Sequence, residues 1–167
     1  MEKITEGMRY VTLVKVSMVK EKELPYTVNE LDRPEKVAAF MQEFLAGSDR
    51  EHLLVLSVDN AGRPAAMEVV SIGTLNETLA EPREIFKHAI LANAAGIVIA
   101  HKHTSGKCKP SKDDINTTKR IKKAGEILGI PLQNHVIVRD GYYSFREKGL
   151  LNVGRIVEGF RIRLRIK

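Results

Sequence analysis

A continuous apolar run, Gly96–Ala100 (GIVIA), leads directly into His101 and His103. A run of this kind, rich in β-branched residues, is typical of a central strand buried on both faces, which requires neighbouring strands and covering helices. In an extended strand residues i and i+2 point to the same side, so the two imidazoles can converge on one metal ion. The run therefore predicts an α/β fold organised around this strand, with a polar site at its end.

The segments on either side of this run alternate between strand-like and helix-like patterns. Prolines, glycines and Asp-containing turns separate them, and no repeat or long linker interrupts the series. Strands are predicted at residues 9–19, 53–58, 65–72, 96–100, 135–138 and 142–145, and helices from Pro34, from Pro82 and over 112–128. The predicted order, β-α-β-β-α-β-α-β-β, is that of a mixed sheet with helices on its faces.

A third ligand for the histidine pair is available after a glycine-containing loop. Asp114 lies in the first turn of the helix predicted over 112–128, where its carboxylate can reach back over the strand end. Two histidines and one carboxylate leave a tetrahedral zinc ion with an open position, the arrangement of a hydrolytic rather than a structural site. Ser111 and Asp114 also match a capping box, which is a purely structural interpretation. Cys108 and Asp113 compete with Asp114 for the third position.

A zinc hydrolase also needs a proton-transfer group and a donor for the developing oxyanion. Glu68 lies in an apolar strand between Met67 and Val69, and a carboxylate buried there needs a partner. We interpret Glu68 as the general acid and base; the alternative is that it faces solvent on the polar side of its strand. Ser111 is the candidate oxyanion donor.

These residues together resemble a known motif. The pattern His101-x-His103, then Ser111-x-x-Asp114, with Glu68 upstream, is similar to the JAMM motif of MPN-domain metalloproteases. The chain resembles the RadC-like branch of that family more closely, because it also carries IGTLN, PREIFKHAI, NAAGIVIAH and LGIPL.

The resemblance implies an MPN (JAMM) metal-binding domain at residues 31–152, a mixed and mainly antiparallel β-sheet flanked by helices with a cytidine-deaminase-like architecture. Residues 1–30 are then an N-terminal strand or extension, and residues 153–167 a basic tail. The resemblance also implies a single Zn²⁺ ion per chain, with His101, His103 and Asp114 as metal ligands, Glu68 as the catalytic carboxylate and Ser111 as the oxyanion partner.

The chain departs from the RadC-like pattern near the predicted site. Lys102 and Thr104 stand where Asn and Pro are usual, so we expect added positive charge beside the metal and a looser loop. Asn134 replaces the usual aspartate before His135, and we expect His135 to pack rather than to bind metal. Longer relatives carry an N-terminal helix-hairpin-helix-like region that is not expected here, so DNA targeting based on it does not transfer.

Positive charge is concentrated around the predicted site. The formal net charge is +6, and segment 101–125 accounts for it. A basic surround attracts anionic partners, nucleic acid above all, although a solvated helix face gives the same pattern. The alternating C-terminal tail is typical of a guarded edge strand or a phosphate-contacting arm. The candidate nucleic-acid contacts are Lys102, Lys107, Lys109, Lys119, Arg120, Lys122, Lys123 and the tail Arg161–Lys167.

Composition excludes several classes of protein. The single cysteine, Cys108, excludes an internal disulfide framework and favours a reducing compartment. No signal peptide or membrane-spanning stretch is recognisable, so we expect a cytoplasmic protein without a membrane partner. A zinc nucleobase deaminase is excluded, because the chain lacks P-C-x-x-C and has His103 where that signature has Glu. His52 and His88 are expected at the surface or half-buried.

The leading hypothesis is a zinc-dependent hydrolase of the JAMM type that cleaves a peptide or isopeptide bond in a protein or peptide substrate. The alternative is a DNA-associated module for repair or mobile-element maintenance, with a basic surface and little or no peptidase activity. A third hypothesis is a metal-binding scaffold with little turnover. Family analogy fixes the site more firmly than the reaction, because one fold hosts many functions.

Overall fold

The computed structural model describes residues 9–26, 33–73, 80–103 and 108–151. Within these ranges no helix has the length and apolar character needed to cross a membrane. Thr104, Lys107 and the tail Arg161–Lys167, which figured in the predictions, lie outside the described residues. The helices are α1 (Pro34–Phe44), α2 (Pro82–Leu91) and α3 (Lys112–Leu128), and the strands are β1 (His52–Val58), β2 (Pro64–Ile72), β3 (Gly96–Lys102), β4 (Leu132–Arg139) and β5 (Gly141–Ser144).

The strands form a mixed sheet in the order β2-β1-β3-β4-β5. β1 pairs antiparallel with β2 and β3, and β4 pairs antiparallel with β5. β3 and β4 are parallel, and α3 supplies the crossover that a parallel pair requires. The predicted α/β fold with a mainly antiparallel sheet is confirmed, and so is the central position of the GIVIA strand.

Helices cover both faces of the sheet, and β3 feeds side chains alternately to each. Ile97 and Ile99 pack on the side of α2 and α3, whereas Val98 and Ala100 pack on the side of α1. Each fully buried aliphatic side chain stabilises the fold by about 1.5–3 kcal/mol. The same alternation sends His101 to the side of α2 and α3. The packing of β3 therefore determines on which face the predicted site lies.

α3 has clear signals at both ends, and its predicted limits are confirmed. Ser111 caps its N-terminus, and Gly129 ends it in the left-handed conformation with φ of 70°. Gly125 permits the chain to return closely onto the helix, because a Cβ atom there would lie 2.5 Å from the carbonyl oxygen of Ile130. The close return packs the C-terminal part of α3 against the segment that leads into β4.

The strand predicted at residues 9–19 is wrong. Residues 9–26 contain neither helix nor strand, and Val11, Leu13 and Val19 are almost fully exposed. A β-branched pattern forms a strand only where a neighbour accepts its backbone hydrogen bonds, and none of the described strands pairs with this segment. Tyr26, at the end of the segment, contacts Phe40 of α1 edge to face. The domain limits at residues 31 and 152 stay predictions.

Candidate metal centre

Three side chains converge where β3 ends. His101 lies in the strand, His103 follows it, and Asp114 lies in the first turn of α3. The Nε2 atoms of the two histidines are 2.8 Å apart. Asp114 Oδ1 is 3.3 Å from His101 Nε2, and Asp114 Oδ2 is 3.6 Å from His103 Nε2. The three residues, called the metal group below, could hold a metal ion, since their ligand atoms all lie within 4.8 Å of one another.

The spacing and burial of the metal group suit a tetrahedral ion. Ligand atoms bound at about 2.0–2.1 Å to tetrahedral zinc stand about 3.3 Å apart, and the observed separations bracket that value. His101 is 1% exposed and Asp114 6%. A carboxylate buried between two imidazoles is costly without a compensating cation. The donor set therefore fits a metal ion.

Burial keeps the imidazoles near this site in the form that binds metals. Burial lowers the pKa of His101 to about 4. Attraction to the Asp114 carboxylate partly opposes this shift, and repulsion from His103 adds to it. Burial also lowers the pKa of His135 well below its usual value, helped by repulsion from His101 and His103. A neutral imidazole is the metal-ligating form, so His101 needs no deprotonation at neutral pH.

Asp114 belongs to a helix cap as well as to the metal group. Its Oδ2 accepts hydrogen bonds from the main-chain nitrogen of Ser111 at 2.6 Å and from the Ser111 hydroxyl at 2.7 Å. Ser111 Oγ in turn accepts from the main-chain nitrogen of Asp114 at 3.1 Å, which completes the capping box. The structural interpretation of Ser111-x-x-Asp114 is therefore correct, and it is compatible with metal binding, because Oδ1 remains directed at His101.

A buried chain of side chains supports the metal group from behind. His101 Nδ1 lies 2.8 Å from His135 Nε2, and His135 Nδ1 lies 2.6 Å from Thr118 Oγ1. The Thr118 hydroxyl donates to the main-chain oxygen of Asp114 at 2.6 Å. The ring of His135 also stacks on Phe145, with centroids 4.5 Å apart. The prediction that His135 packs is confirmed, and it also contacts a metal-group histidine.

Matching donors with acceptors assigns the hydrogens in the series of contacts from His101 through His135 to Thr118. With a metal ion bound, His101 would present a bare Nε2 to it, and its Nδ1 would carry the hydrogen and donate to His135. His135 then carries its own hydrogen on Nδ1 and donates to Thr118. The chain starts at one member of the metal group and ends at the main chain of another, which ties the orientation of His101 to the position of Asp114.

Glu68 borders the metal group without joining it. Val55 pairs with Glu68 on one side and with Ile99 on the other, so Glu68 is two strands away from β3. Strand spacing and rise place its Cα roughly 12 Å from that of His101. Its side chain is 40% exposed, which matches neither full burial nor a fully solvated position. The gap between Glu68 and the histidines is wide enough for a reacting group.

His88 lies next to the carboxylate of Glu68. The prediction that His88 lies at the surface or is half-buried is wrong. The residue is 7% exposed, and its Nδ1 lies 3.2 Å from Glu68 Oε2. Its Nε2 lies 3.0 Å from Ser57 Oγ. The helical spacing of Ile85, His88 and Ala89 contained the signal, because these positions share the buried stripe of α2. His52 is half-buried, as predicted.

Several competing candidates lie apart from the metal group. Cys108 packs against the hydrophobic core, and burial raises the pKa of its thiol. Asp113 is exposed and is not in the group. The charge that Lys102 was predicted to add beside the metal stays a prediction: alternation along β3 turns the residue to the side of α1, where it lines a cleft together with His103. There it donates to the main-chain oxygens of Leu45 and Ser48, at the C-terminus of α1.

The sequence of this chain matches a known protein family. A family model described as RadC-like JAB domain matches residues 31–150. A UPF0758 protein of Rubrobacter xylanophilus is 40% identical over 121 residues, which cover 72% of this chain and 53% of the relative. A UPF0758 protein of Desulforamulus reducens is 44% identical over 119 residues, which cover 71% of this chain and 52% of the relative. One from Thermotoga maritima is 42% identical over 131 residues, which cover 78% of this chain and 59% of the relative.

The chain spans about half the length of these curated relatives. The family match covers the elements that build the metal group, from α1 to β5. The resemblance found in the motifs is thereby confirmed: the chain belongs to the family of proteins with a RadC-like JAB domain.

Proposed function

We propose that this protein is a zinc-dependent hydrolase of the JAMM type, which cleaves a peptide or isopeptide bond in the cytoplasm. The observation that carries the proposal is the buried group of His101, His103 and Asp114, with Glu68 on the same face of the sheet. Imidazole-rich donor sets favour zinc over harder cations. The free thiol of Cys108 fits a reducing compartment.

The chemistry is divided between the metal and the residues of this chain. Zinc, when bound, supplies a water that ionises near neutral pH and polarises the scissile carbonyl. Glu68 turns Oε2 toward His88, which leaves its other carboxylate oxygen to accept a proton from the attacking water. Glu68 then delivers that proton to the leaving amine. Such acid-base catalysis contributes typically about 10²- to 10⁴-fold.

Ser111 has a smaller part in this proposal. Its hydroxyl hydrogen is directed at Asp114 Oδ2. To stabilise an oxyanion, Ser111 has to exchange this bond for one to the substrate. The exchange costs part of what the new bond gains, so we expect Ser111 to contribute less than Glu68.

A cleft lies on the side of α1, and of the metal group only His103 lines it. Its volume is about 390 Å³. The His103 side chain lines it and is 17% exposed, more than the other members of the metal group. The lining is polar and carries both signs of charge, and it includes neither Glu68 nor His101. The lining residues are Gln42, Leu45, Ala46, Ser48, Asp49, Lys102, His103, Val138, Arg139 and Asp140.

Nucleic-acid binding is a second candidate, favoured by the basic surface of α3. Lys119 and Lys123 are exposed and lie one helical turn apart. Arg120 and Lys122 face carboxylates instead, since Arg120 lies 3.1 Å from Glu81 and Lys122 lies 3.8 Å from the next turn's Glu126. Phosphate binding by the two exposed lysines would weaken steeply with salt.

Metal content and cleavage together test the leading proposal. Wild type, His103→Ala and Glu68→Gln are loaded with zinc and incubated with an amine-blocked peptide mixture from a bacterial digest, and new amino termini are counted. We expect His103→Ala to lose most of its zinc. Glu68→Gln should keep its zinc and lose cleavage by at least about 100-fold. His52→Ala, at a half-buried histidine that is not a member of the metal group, is the matched control for both measurements.

Each result has a clear consequence. Unchanged zinc in His103→Ala would disprove the metal site, and wild-type cleavage by Glu68→Gln would disprove the role of the carboxylate. Absence of cleavage by the zinc-loaded wild type, combined with salt-sensitive nucleic-acid binding that Lys119→Ala and Lys123→Ala weaken, would favour the second candidate.

A further inference from the structure

A buried polar chain reaches Glu68 from the interior of the sheet. Ser57 of β1 lies with its Oγ 3.0 Å from His88 Nε2, and His88 Nδ1 lies 3.2 Å from Glu68 Oε2. Ser57 is fully buried and His88 nearly so. These residues lie outside the metal group and outside the chain through His135.

The chemistry of each atom defines where the hydrogens lie. A carboxylate only accepts hydrogen bonds, so a hydrogen bond between this pair requires the hydrogen of His88 to be on Nδ1. His88 Nε2 is then bare and accepts the hydrogen of the Ser57 hydroxyl. Burial lowers the pKa of His88, which keeps its ring neutral at neutral pH. The chain therefore has a direction, from Ser57 through His88 to Glu68.

The same order of atoms occurs in nucleophilic Ser-His-acid triads. Ser57 cannot act as a nucleophile here, because it is 0% exposed in β1, which lies between β2 and β3. The member that meets solvent is the acid. The contacts from Ser57 through His88 therefore orient Glu68 and do not activate Ser57.

Glu68 Oε2 and His88 Nδ1 form a close polar contact in the interior. Glu68 Oε2 and His88 Nδ1 are both shielded from water, and within the described part of the chain neither makes a hydrogen bond, although the two atoms lie 3.2 Å apart. Their alignment is short of ideal, and the broad terminal torsion of a glutamate lets the carboxylate rotate into line. A buried oxygen held in this way leaves the second oxygen as the reactive one.

We propose that His88, held by Ser57, is a positioning residue that fixes one oxygen of Glu68 and so directs the other toward the metal group. The inference rests on the proposed function, in which Glu68 transfers the proton. His88 touches neither substrate nor metal, and acts only through the carboxylate.

The tautomer of His88 is the first test, and it requires neither zinc nor turnover. Ring nitrogens are observed by NMR in the full chain labelled with ¹⁵N-histidine. We expect His88 to carry its hydrogen on Nδ1 in the wild type. The preference should be lost in Glu68→Ala, which removes the acceptor, and reduced in Ser57→Ala. A wild-type His88 with its hydrogen on Nε2 would overturn the proposal.

A pair of substitutions separates positioning from packing. His88→Asn places an amide donor near the position of Nδ1, whereas His88→Leu fills the space without a donor. In cleavage of the amine-blocked peptide mixture, we expect kcat to fall about 10- to 100-fold in His88→Leu, the range for outer-shell partners, and to recover in His88→Asn. KM and zinc content should stay at the wild-type level in both variants.

Equal losses in the two variants would show that His88 only packs, and would overturn the proposal. If the zinc-loaded wild type cleaves nothing, the proposed function fails, while the tautomer still decides whether Ser57 and His88 orient Glu68. The two failures are therefore distinguishable.

Discussion

Two series of buried polar contacts, each through a histidine, lie on the same face of the sheet, and they differ in how they end. The first runs from His101 through His135 and Thr118 to the main chain of Asp114, and all of its members are buried. It begins and ends on the metal group. The second, through His88, starts at a buried serine and ends at a half-exposed carboxylate.

The difference matches what each site has to do. Metal ligands need fixed geometry, and a closed chain of buried groups restrains His101 and Asp114 together. A proton-transfer group needs one restrained oxygen and one that can meet substrate, and an open chain provides both. We therefore expect damage to the first chain to appear in metal affinity and stability, and damage to the second to appear in turnover.

The largest effect is expected from His135→Phe. The substitution keeps an aromatic ring against Phe145 but leaves the Nδ1 hydrogen of His101 buried without an acceptor. We expect zinc affinity, measured by competition with a chelator, to fall about 10- to 100-fold. The free energy of unfolding should fall by about 1–3 kcal/mol. His88→Leu is the comparison, and an equal loss of zinc affinity there would erase the distinction between the chains.

A smaller effect is expected from Thr118→Val, which removes a hydroxyl at nearly constant volume. His135 Nδ1 then loses its acceptor, and the link to Asp114 is broken. Urea unfolding should show a loss of about 1–2 kcal/mol, with a several-fold loss in zinc affinity. Thr117→Val, at the preceding half-buried position of α3, is the matched control. Similar losses in both variants would mean that the hydroxyl of Thr118 has no special role.

The smallest effect is the pH dependence of stability. Burial lowers the pKa of His88, and that of His135 well below 6.5, so the unfolded chain takes up protons first on acidification. The stabilisation that comes from burying these two histidines in their neutral form is complete above about pH 6.5. It is lost as the pH falls toward their pKa values in the folded protein. In EDTA, the unfolding free energy should decline below that pH. His135→Phe should flatten the decline more than His88→Leu, and parallel curves would contradict this.

The metal group could be predicted from the sequence to a large extent. Side chains in a strand alternate between its two faces, so His101 and His103 were predicted to share a face. The capping signals predicted that Asp114 lies in the first turn of α3. Local chemistry carries this information, because strand alternation and helix caps depend on residues near each other in the chain. Their assignment as zinc ligands came from the motif and stays a proposal.

The supporting residues could not be found in the same way. His88 and His135 look like incidental histidines, since their partners Glu68 and His101 lie on other elements and meet them only when strands pair and helices pack. The strand predicted at residues 9–19 failed for the same reason, as pairing depends on a neighbour that the local pattern does not contain. Apart from residues 9–19, local periodicity by itself predicted the elements and the faces of their side chains. Only the tertiary structure decided which buried polar groups satisfy each other, because that depends on contacts between residues far apart in the chain.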